Sequence, residues 1–298
     1  MDTYIFKKAP FEGTATALAT PFSGGEVDLV RMRALCEWQI EMGVDALCVS
    51  GTTGEAATLT RSERRAITAA VKESVGDRVP LIVGCGSSDT AIACSLCSEA
   101  SALGADALLV ITPYCNKGTA KGLIEHYKRV ADAAAGKPVI LYNVPSRTGV
   151  DISFTQYEEL SKIENVVAVK EAASNLTKIT RLAGETSLNI YSGNDDMVLP
   201  VVSVGGKGVI SVLSNLAPAA TAAMTRYALD GDFTSASTLA RKYAHLIELL
   251  FAETNPAPLK YAMSLLELCS ADMRLPMGDI ADTLKERIKQ ELVTLSMI

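Results

Sequence analysis

The sequence predicts a (β/α)8 TIM barrel with a C-terminal helical appendage, and three patterns predict it. Short apolar runs alternate with longer amphipathic stretches eight times in roughly the first 230 residues. The runs are close to continuously apolar, as expected of parallel strands covered by helices rather than strands with one wet face. From about residue 232 the chain carries three further helical patterns and no strand. Eight units in that length suit a barrel, a fold of typically about 250 residues. The expected organisation is a barrel over residues 1–230 and a helical extension packed on it over 231–298.

The strand candidates are, in order, TATALATPF (14–22), ALCVSG (46–51), VPLIVGCG (79–86), ALLVITP (107–113), PVILYNVP (138–145), VVAVKEA (166–172), LNIYSGND (188–195) and GVISVLSN (208–215). Between them lie helical segments such as LVRMRALCEWQIEMG and GLIEHYKRVADAAAG, closed by Gly43 and Gly136 at positions that suit a helix C-terminus. The main competitor is a doubly wound dinucleotide-binding sheet. Its support is GCGSSD at 84–89, a G-x-G after a strand that lacks the third glycine of the fingerprint.

Composition excludes several classes. With 48% hydrophobic and 21% charged residues the chain reads as globular rather than disordered. A net charge of −6 argues against a general nucleic-acid surface, which needs a basic patch. The start, MDTYIFKKAPFEG, has no apolar signal core, and no apolar run reaches the roughly 18 residues of a membrane span, so a cytoplasmic protein is expected. Seven cysteines are spaced irregularly; Cys94 and Cys97 form a C-x-x-C inside a helical stretch with no second pair. With only His126 and His245 to complete a ligand set, the cysteines read as reduced core residues and no metal site is expected.

In such a barrel the active site lies at the C-terminal ends of the strands. Polar residues gather there: GTTGEAAT after the second strand, TPYCNK after the fourth, YNVPSRTG after the fifth, Lys170 at the end of the sixth and SGND after the seventh. Each has a bland reading. Lys170 is a strand surfacing, GTTGE a tight turn, Arg147 a surface charge and Tyr142 a core aromatic with its hydroxyl satisfied. Their joint placement at one rim favours chemistry. A lysine among apolar neighbours is disfavoured in its charged form, and its free amine attacks a ketone to give an imine that acts as an electron sink. A tyrosine hydroxyl moves protons, a threonine–glycine loop holds a keto acid's carboxylate, and an arginine takes a second carboxylate bidentately. That is the equipment of a class I aldolase acting on an α-keto acid.

GTTGE, TPYxNK, YNVPSRTG, the lysine of VAVKEA, YSGND and ETNPAPLK resemble the pyruvate-dependent class I aldolases of the dihydrodipicolinate synthase and N-acetylneuraminate lyase family, from about residue 12 to beyond 260. The threonine pair of GTTGE and the arginine of PSRTG are more typical of the synthase branch. Carried over by position, the resemblance implies an imine between Lys170 and pyruvate and no external cofactor. It implies that Thr53 and its neighbouring backbone hold the pyruvate carboxylate, that Tyr142 transfers protons and that Thr52 links it to a relay. Arg147 would bind the carboxylate of a second substrate, L-aspartate-4-semialdehyde, while Gly193 and Ile210 would line the pyruvate pocket. The implied activity is condensation of the two substrates, on the route to diaminopimelate and lysine. The implied assembly is a homotetramer built as a dimer of tight dimers.

One position departs from the pattern. Relatives read TPYYNK, and their second tyrosine reaches into the neighbouring subunit's site to complete the relay; here Cys115 stands in its place. A thiol is a weaker hydrogen-bond partner on a shorter side chain. Three readings therefore stay open: the synthase, a related aldolase using another aldehyde such as a sugar acid or N-acetylmannosamine, and a non-catalytic binding paralogue. Lysine-inhibited relatives also carry an allosteric site with a histidine, an asparagine and a glutamate where this chain has Arg61, Ser88 and Ile92, with Tyr114 kept. Weak or absent feedback by lysine is the expectation.

Overall fold

The computed structural model describes residues 6–298. Eight parallel strands close into a barrel: β1 Gly13–Ala17, β2 Ala46–Val49, β3 Leu81–Gly84, β4 Ala107–Ile111, β5 Val139–Asn143, β6 Val166–Glu171, β7 Asn189–Ser192 and β8 Gly208–Ser211. Each pairs with the next in sequence, and β8 pairs back onto β1 through Gly13 with Gly208 and Ala15 with Ile210. The expected fold class is the observed one. The helices of the outer ring are α1 Leu29–Glu41, α2 Arg61–Val75, α3 Thr90–Ala102, α4 Ala120–Ala133, α5 Phe154–Ser161, α6 Leu176–Glu185, α7 Val198–Ser203 and α8 Pro218–Leu229.

Side-chain alternation decides what faces the interior. Ala15, Ala46, Cys48, Ile82, Leu109, Ile140 and Tyr142 point inward and form one apolar cluster. Their alternates, such as Leu47, Val83, Val110 and Leu141, point outward into the larger core under the helices. The helices meet that core with amphipathic faces. In α4 the buried residues Leu123, Tyr127 and Val130 recur at helical spacing, and α2 begins with a capping box between Thr60 and Glu63.

Each apolar run outlasts its strand. The run 14–22 leaves the sheet after Ala17, and Phe22 belongs instead to a short antiparallel pair of Phe22–Ser23 with Glu26–Val27. Leu18 and Ala19 remain buried all the same, because the βα loops are themselves covered. The GCG segment is not a dinucleotide turn. A Cβ on Gly84 would lie 2.1 Å from the Ser50 carbonyl oxygen and one on Gly86 2.5 Å from the Ile111 side chain, so these glycines let neighbouring strand ends approach.

The N-terminal end of the barrel is plugged. Phe11 stacks on Tyr191 with ring centroids 4.2 Å apart, and the Tyr191 hydroxyl donates to the Phe11 carbonyl at 2.6 Å. After α8 come three helices, α9 Phe233–Leu250, α10 Ala257–Leu265 and α11 Asp282–Thr294. The chain around α10 runs back over the open, C-terminal end of the barrel. Among the described residues no helix is long and apolar enough to cross a membrane, and all seven cysteines are free thiols.

Candidate active site

Lys170 is the fifth residue of β6, and strand alternation turns it inward while Glu171 turns outward. Glu171 is fully used there: it accepts from Asn143 Nδ2 at 2.9 Å, the Tyr157 hydroxyl at 2.9 Å and the Ala173 amide at 2.8 Å, with Lys178 Nζ at 3.4 Å. Lys170 and Tyr142 are Cα partners across the β5–β6 ladder, and the lysine Nζ stands 4.6 Å from the centre of the tyrosine ring. Both residues are almost wholly buried. In the barrel interior near the Lys170 side chain lies Cys48, whose thiol burial pushes up to about 11 against the opposing pull of Lys170.

Two loops complete the walls. After β2 the chain turns through Ser50 and Glu55, both with positive φ, and presents Thr52 and Thr53 between them. Thr53 Oγ1 accepts a hydrogen bond from Asn255 Nδ2 at 3.0 Å. After β5 a single helical turn, Pro145–Thr148, carries Arg147, whose Nη2 donates to the Asn255 carbonyl at 3.0 Å. Asp195, after β7, accepts from Ser211 Oγ at 2.5 Å and from the Val212 and Leu213 amides at 3.0 Å each, which ties the β7 and β8 loops together. Burial pushes this carboxyl above its usual range, while those three bonds and the charge of Lys170 pull it back.

A cavity of about 570 Å³ opens over these side chains and is lined by Thr52, Thr53, Tyr142, Arg147, Lys170 and Gly193, with Asn255 from the C-terminal extension. The structure thus brings these six expected residues to one place. A Cβ on Gly193 would meet the Ala172 Cβ at 2.7 Å, which explains a glycine on this wall. Ile210 lies elsewhere, fully buried in the interior cluster below the cavity and not on its wall. Cys115 is exposed at a positive-φ turn and is absent from the cavity wall of its own chain.

Two features escaped the reading of the strand ends. Asn255 touches both Thr53 and Arg147. Lys260, fully buried, donates to Glu55 Oε1 at 2.8 Å and the Thr20 carbonyl at 2.9 Å, clamping the loop that carries the threonines. Both lie in ETNPAPLK, the one motif with no strand to place it.

A buried primary amine beside a phenol, at the C-terminal rim of a closed (β/α)8 barrel, is an arrangement suited to carbonyl chemistry. The chain belongs to the dihydrodipicolinate synthetase family, whose profile matches residues 10–295. It is 43% identical over 287 residues to 4-hydroxy-tetrahydrodipicolinate synthase of Kosmotoga olearia, covering 95% of this chain and 97% of that one. Among solved structures, dihydrodipicolinate synthase from Aquifex aeolicus superposes with a TM-score of 0.94 at 38% identity, over 96% of this chain and 99% of that one. The chloride-inhibited enzyme from Acinetobacter baumannii, solved in complex with pyruvate, superposes with a TM-score of 0.93 at 37% identity, over 96% and 99% of the two chains.

Proposed function

We propose that this enzyme condenses pyruvate with L-aspartate-4-semialdehyde to 4-hydroxy-tetrahydrodipicolinate, on the route to diaminopimelate and lysine. The observation that carries the reading is the placement of Lys170 Nζ against the Tyr142 ring on a cavity that Thr52 and Thr53 also line. The Lys170 amine adds to the ketone carbon of pyruvate, and loss of water gives the imine. Thr53 and the adjoining backbone hold the pyruvate carboxylate. A proton leaves the pyruvate methyl carbon, the electron pair runs into the imine, and the enamine attacks the aldehyde carbon. The aldehyde oxygen takes up a proton. The semialdehyde's own amine then attacks the imine carbon and displaces Lys170, closing the ring.

Tyr142 moves the protons and Thr52 connects it to the relay. Arg147, held by the Asn255 carbonyl, binds the second carboxylate. The imine is itself the electron sink, so the reading needs no external cofactor. The relatives that share this chain's length carry the synthase name, which supports the semialdehyde over a sugar acid or N-acetylmannosamine as the partner.

The same reading takes 231–298 as an extension that covers the barrel's open end, places the enzyme in the cytoplasm, and assembles it as a dimer of tight dimers with the TPYCN loop at the tight interface. Sedimentation as a monomer at micromolar concentration would contradict the assembly. Borohydride trapping with pyruvate, followed by a coupled assay with each candidate aldehyde, tests the chemistry. Trapping without turnover on the semialdehyde would overturn the choice of second substrate.

A further inference from the structure

The two substrates of the proposed condensation differ in charge. Pyruvate brings one carboxylate, whereas the semialdehyde brings a carboxylate and an ammonium group on the same carbon. Arg147 accounts for that carboxylate and leaves the ammonium without a partner. Among the described residues three charged side chains line the reactive cavity: Lys170, Arg147 and Glu253. Glu253 is the one carboxylate of the three.

Glu253 lies just beyond the end of α9 and is partly buried. Its Oε1 accepts from the Ala281 amide at 3.1 Å, at the start of α11. Among the described residues no lysine, arginine or histidine pairs with it, and Arg147 donates instead to the Asn255 carbonyl. The cavity therefore holds a guanidinium and a carboxylate that do not neutralise each other. Asn255, two positions on, lines the same cavity, and its buried Oδ1 has no donor. The bland reading of Glu253 is a tether for the start of α11. A glutamine would serve that tether equally well, because its carbonyl oxygen accepts the same bond. Only the charge separates the two roles.

We infer that Glu253 receives the ammonium group of the amino aldehyde while Arg147 holds its carboxylate, which makes Glu253 a specificity-determining residue for the second substrate. The inference rests on the proposed function and deepens it. With the aldehyde carbon at the enamine on Lys170, the substrate is fixed at three points before the carbon–carbon bond forms. Three attachments distinguish the L from the D amino aldehyde, because exchanging hydrogen and ammonium on that carbon turns the ammonium away from the carboxylate. The same contact disfavours a chain that lacks the nitrogen, since nothing then replaces the cation at Glu253.

The test is steady-state kinetics of the whole enzyme at saturating pyruvate. The ligands are L-aspartate-4-semialdehyde, its D enantiomer, and 4-oxobutanoate, the same chain without the nitrogen, used as a competitor. Glu253→Gln should raise the Michaelis constant for the L aldehyde about tenfold or more, equal to roughly 1.4 kcal/mol or more of binding, with the inhibition constant of 4-oxobutanoate within about twofold. Glu253→Asp should keep part of the affinity, and the preference for L over D should narrow in Glu253→Gln. An unchanged Michaelis constant in Glu253→Gln overturns the inference and leaves the tether. Equal weakening of the amino aldehyde and 4-oxobutanoate overturns it as well. No turnover of the semialdehyde by the unaltered enzyme, with pyruvate still trapped, overturns the proposed function and the inference with it. Where Glu253→Gln does not fold, the unaltered enzyme decides: 4-oxobutanoate binding as tightly as the L aldehyde, or equal constants for the two enantiomers, overturns the inference.

Discussion

Lys170 and Tyr142 occupy the same level of two adjacent strands, with the lysine Nζ 4.6 Å from the centre of the tyrosine ring. The geometry comes from ladder register, not from a flexible loop, so both groups are held before any substrate arrives. Such preorganisation makes the amine's contribution separable from that of the loops. Lys170→Ala should abolish borohydride labelling by pyruvate and lower turnover by roughly 10⁴-fold or more, the scale for removing a covalent nucleophile. Peptide mass mapping should find one pyruvyl addition, on the peptide containing Lys170. Labelling of a different lysine would defeat the assignment.

Tyr142→Phe keeps the ring that packs beside Lys170 and removes the hydroxyl alone. Turnover should fall by about 10²–10⁴-fold, the range for general acid–base groups, while the melting temperature changes little. Trapping should slow but reach the same final extent. An unchanged turnover would remove Tyr142 from the proton path.

Arg147 is anchored through the Asn255 carbonyl at 3.0 Å and reaches the cavity from a single helical turn. Lysine does not reproduce a planar, two-pronged contact to a carboxylate. Arg147→Lys and Arg147→Ala should both raise the Michaelis constant for the semialdehyde, with pyruvate trapping intact. Loss of trapping in these variants would mean that the arginine serves pyruvate or the fold.

The Glu55–Lys260 pair is buried on both sides and links the threonine loop to α10. Removing one partner leaves a buried charge alone, which typically costs about 3–5 kcal/mol. Lys260→Met should therefore destabilise strongly in urea, and the double variant Glu55→Gln with Lys260→Met should recover much of that loss. The double variant should still show a raised Michaelis constant for pyruvate, because Thr52 and Thr53 lose their clamp. Additive effects of the two substitutions on stability would show that the pair is not coupled.

L-lysine should inhibit weakly or not at all at millimolar concentration. Ile92 is exposed where inhibited relatives carry a glutamate, and Arg61 stands where they carry a histidine. The nearest acid on α3, Glu99, is engaged by Arg61 and has Arg65 at 3.7 Å. Two like charges about 6 Å apart repel by roughly 3 kcal/mol at an effective dielectric of about 20, which offsets most of a typical coupling of about 1–3 kcal/mol. Half-inhibition below about 1 mM, or roughly 4 kcal/mol of binding, would show that another acid meets the effector.

The sequence by itself determined the eight strands, their order and the identity of the residues at their C-terminal ends. A parallel barrel needs continuous apolar strands, and whatever is polar at a strand end must emerge at one rim; Lys170, Tyr142 and the Thr52–Thr53 loop were therefore legible as a group. Tertiary structure alone decided how the rim is closed. Asn255 reaches Thr53 across 202 positions of sequence and Lys260 reaches Glu55 across 205, and no local periodicity encodes a contact of that span. It also decided that Ile210 sits in the interior cluster and Cys115 on the surface. Alternation along a strand says which face a side chain takes, whereas the level at which the barrel's packed interior gives way to the cavity depends on the stagger of all eight strands together.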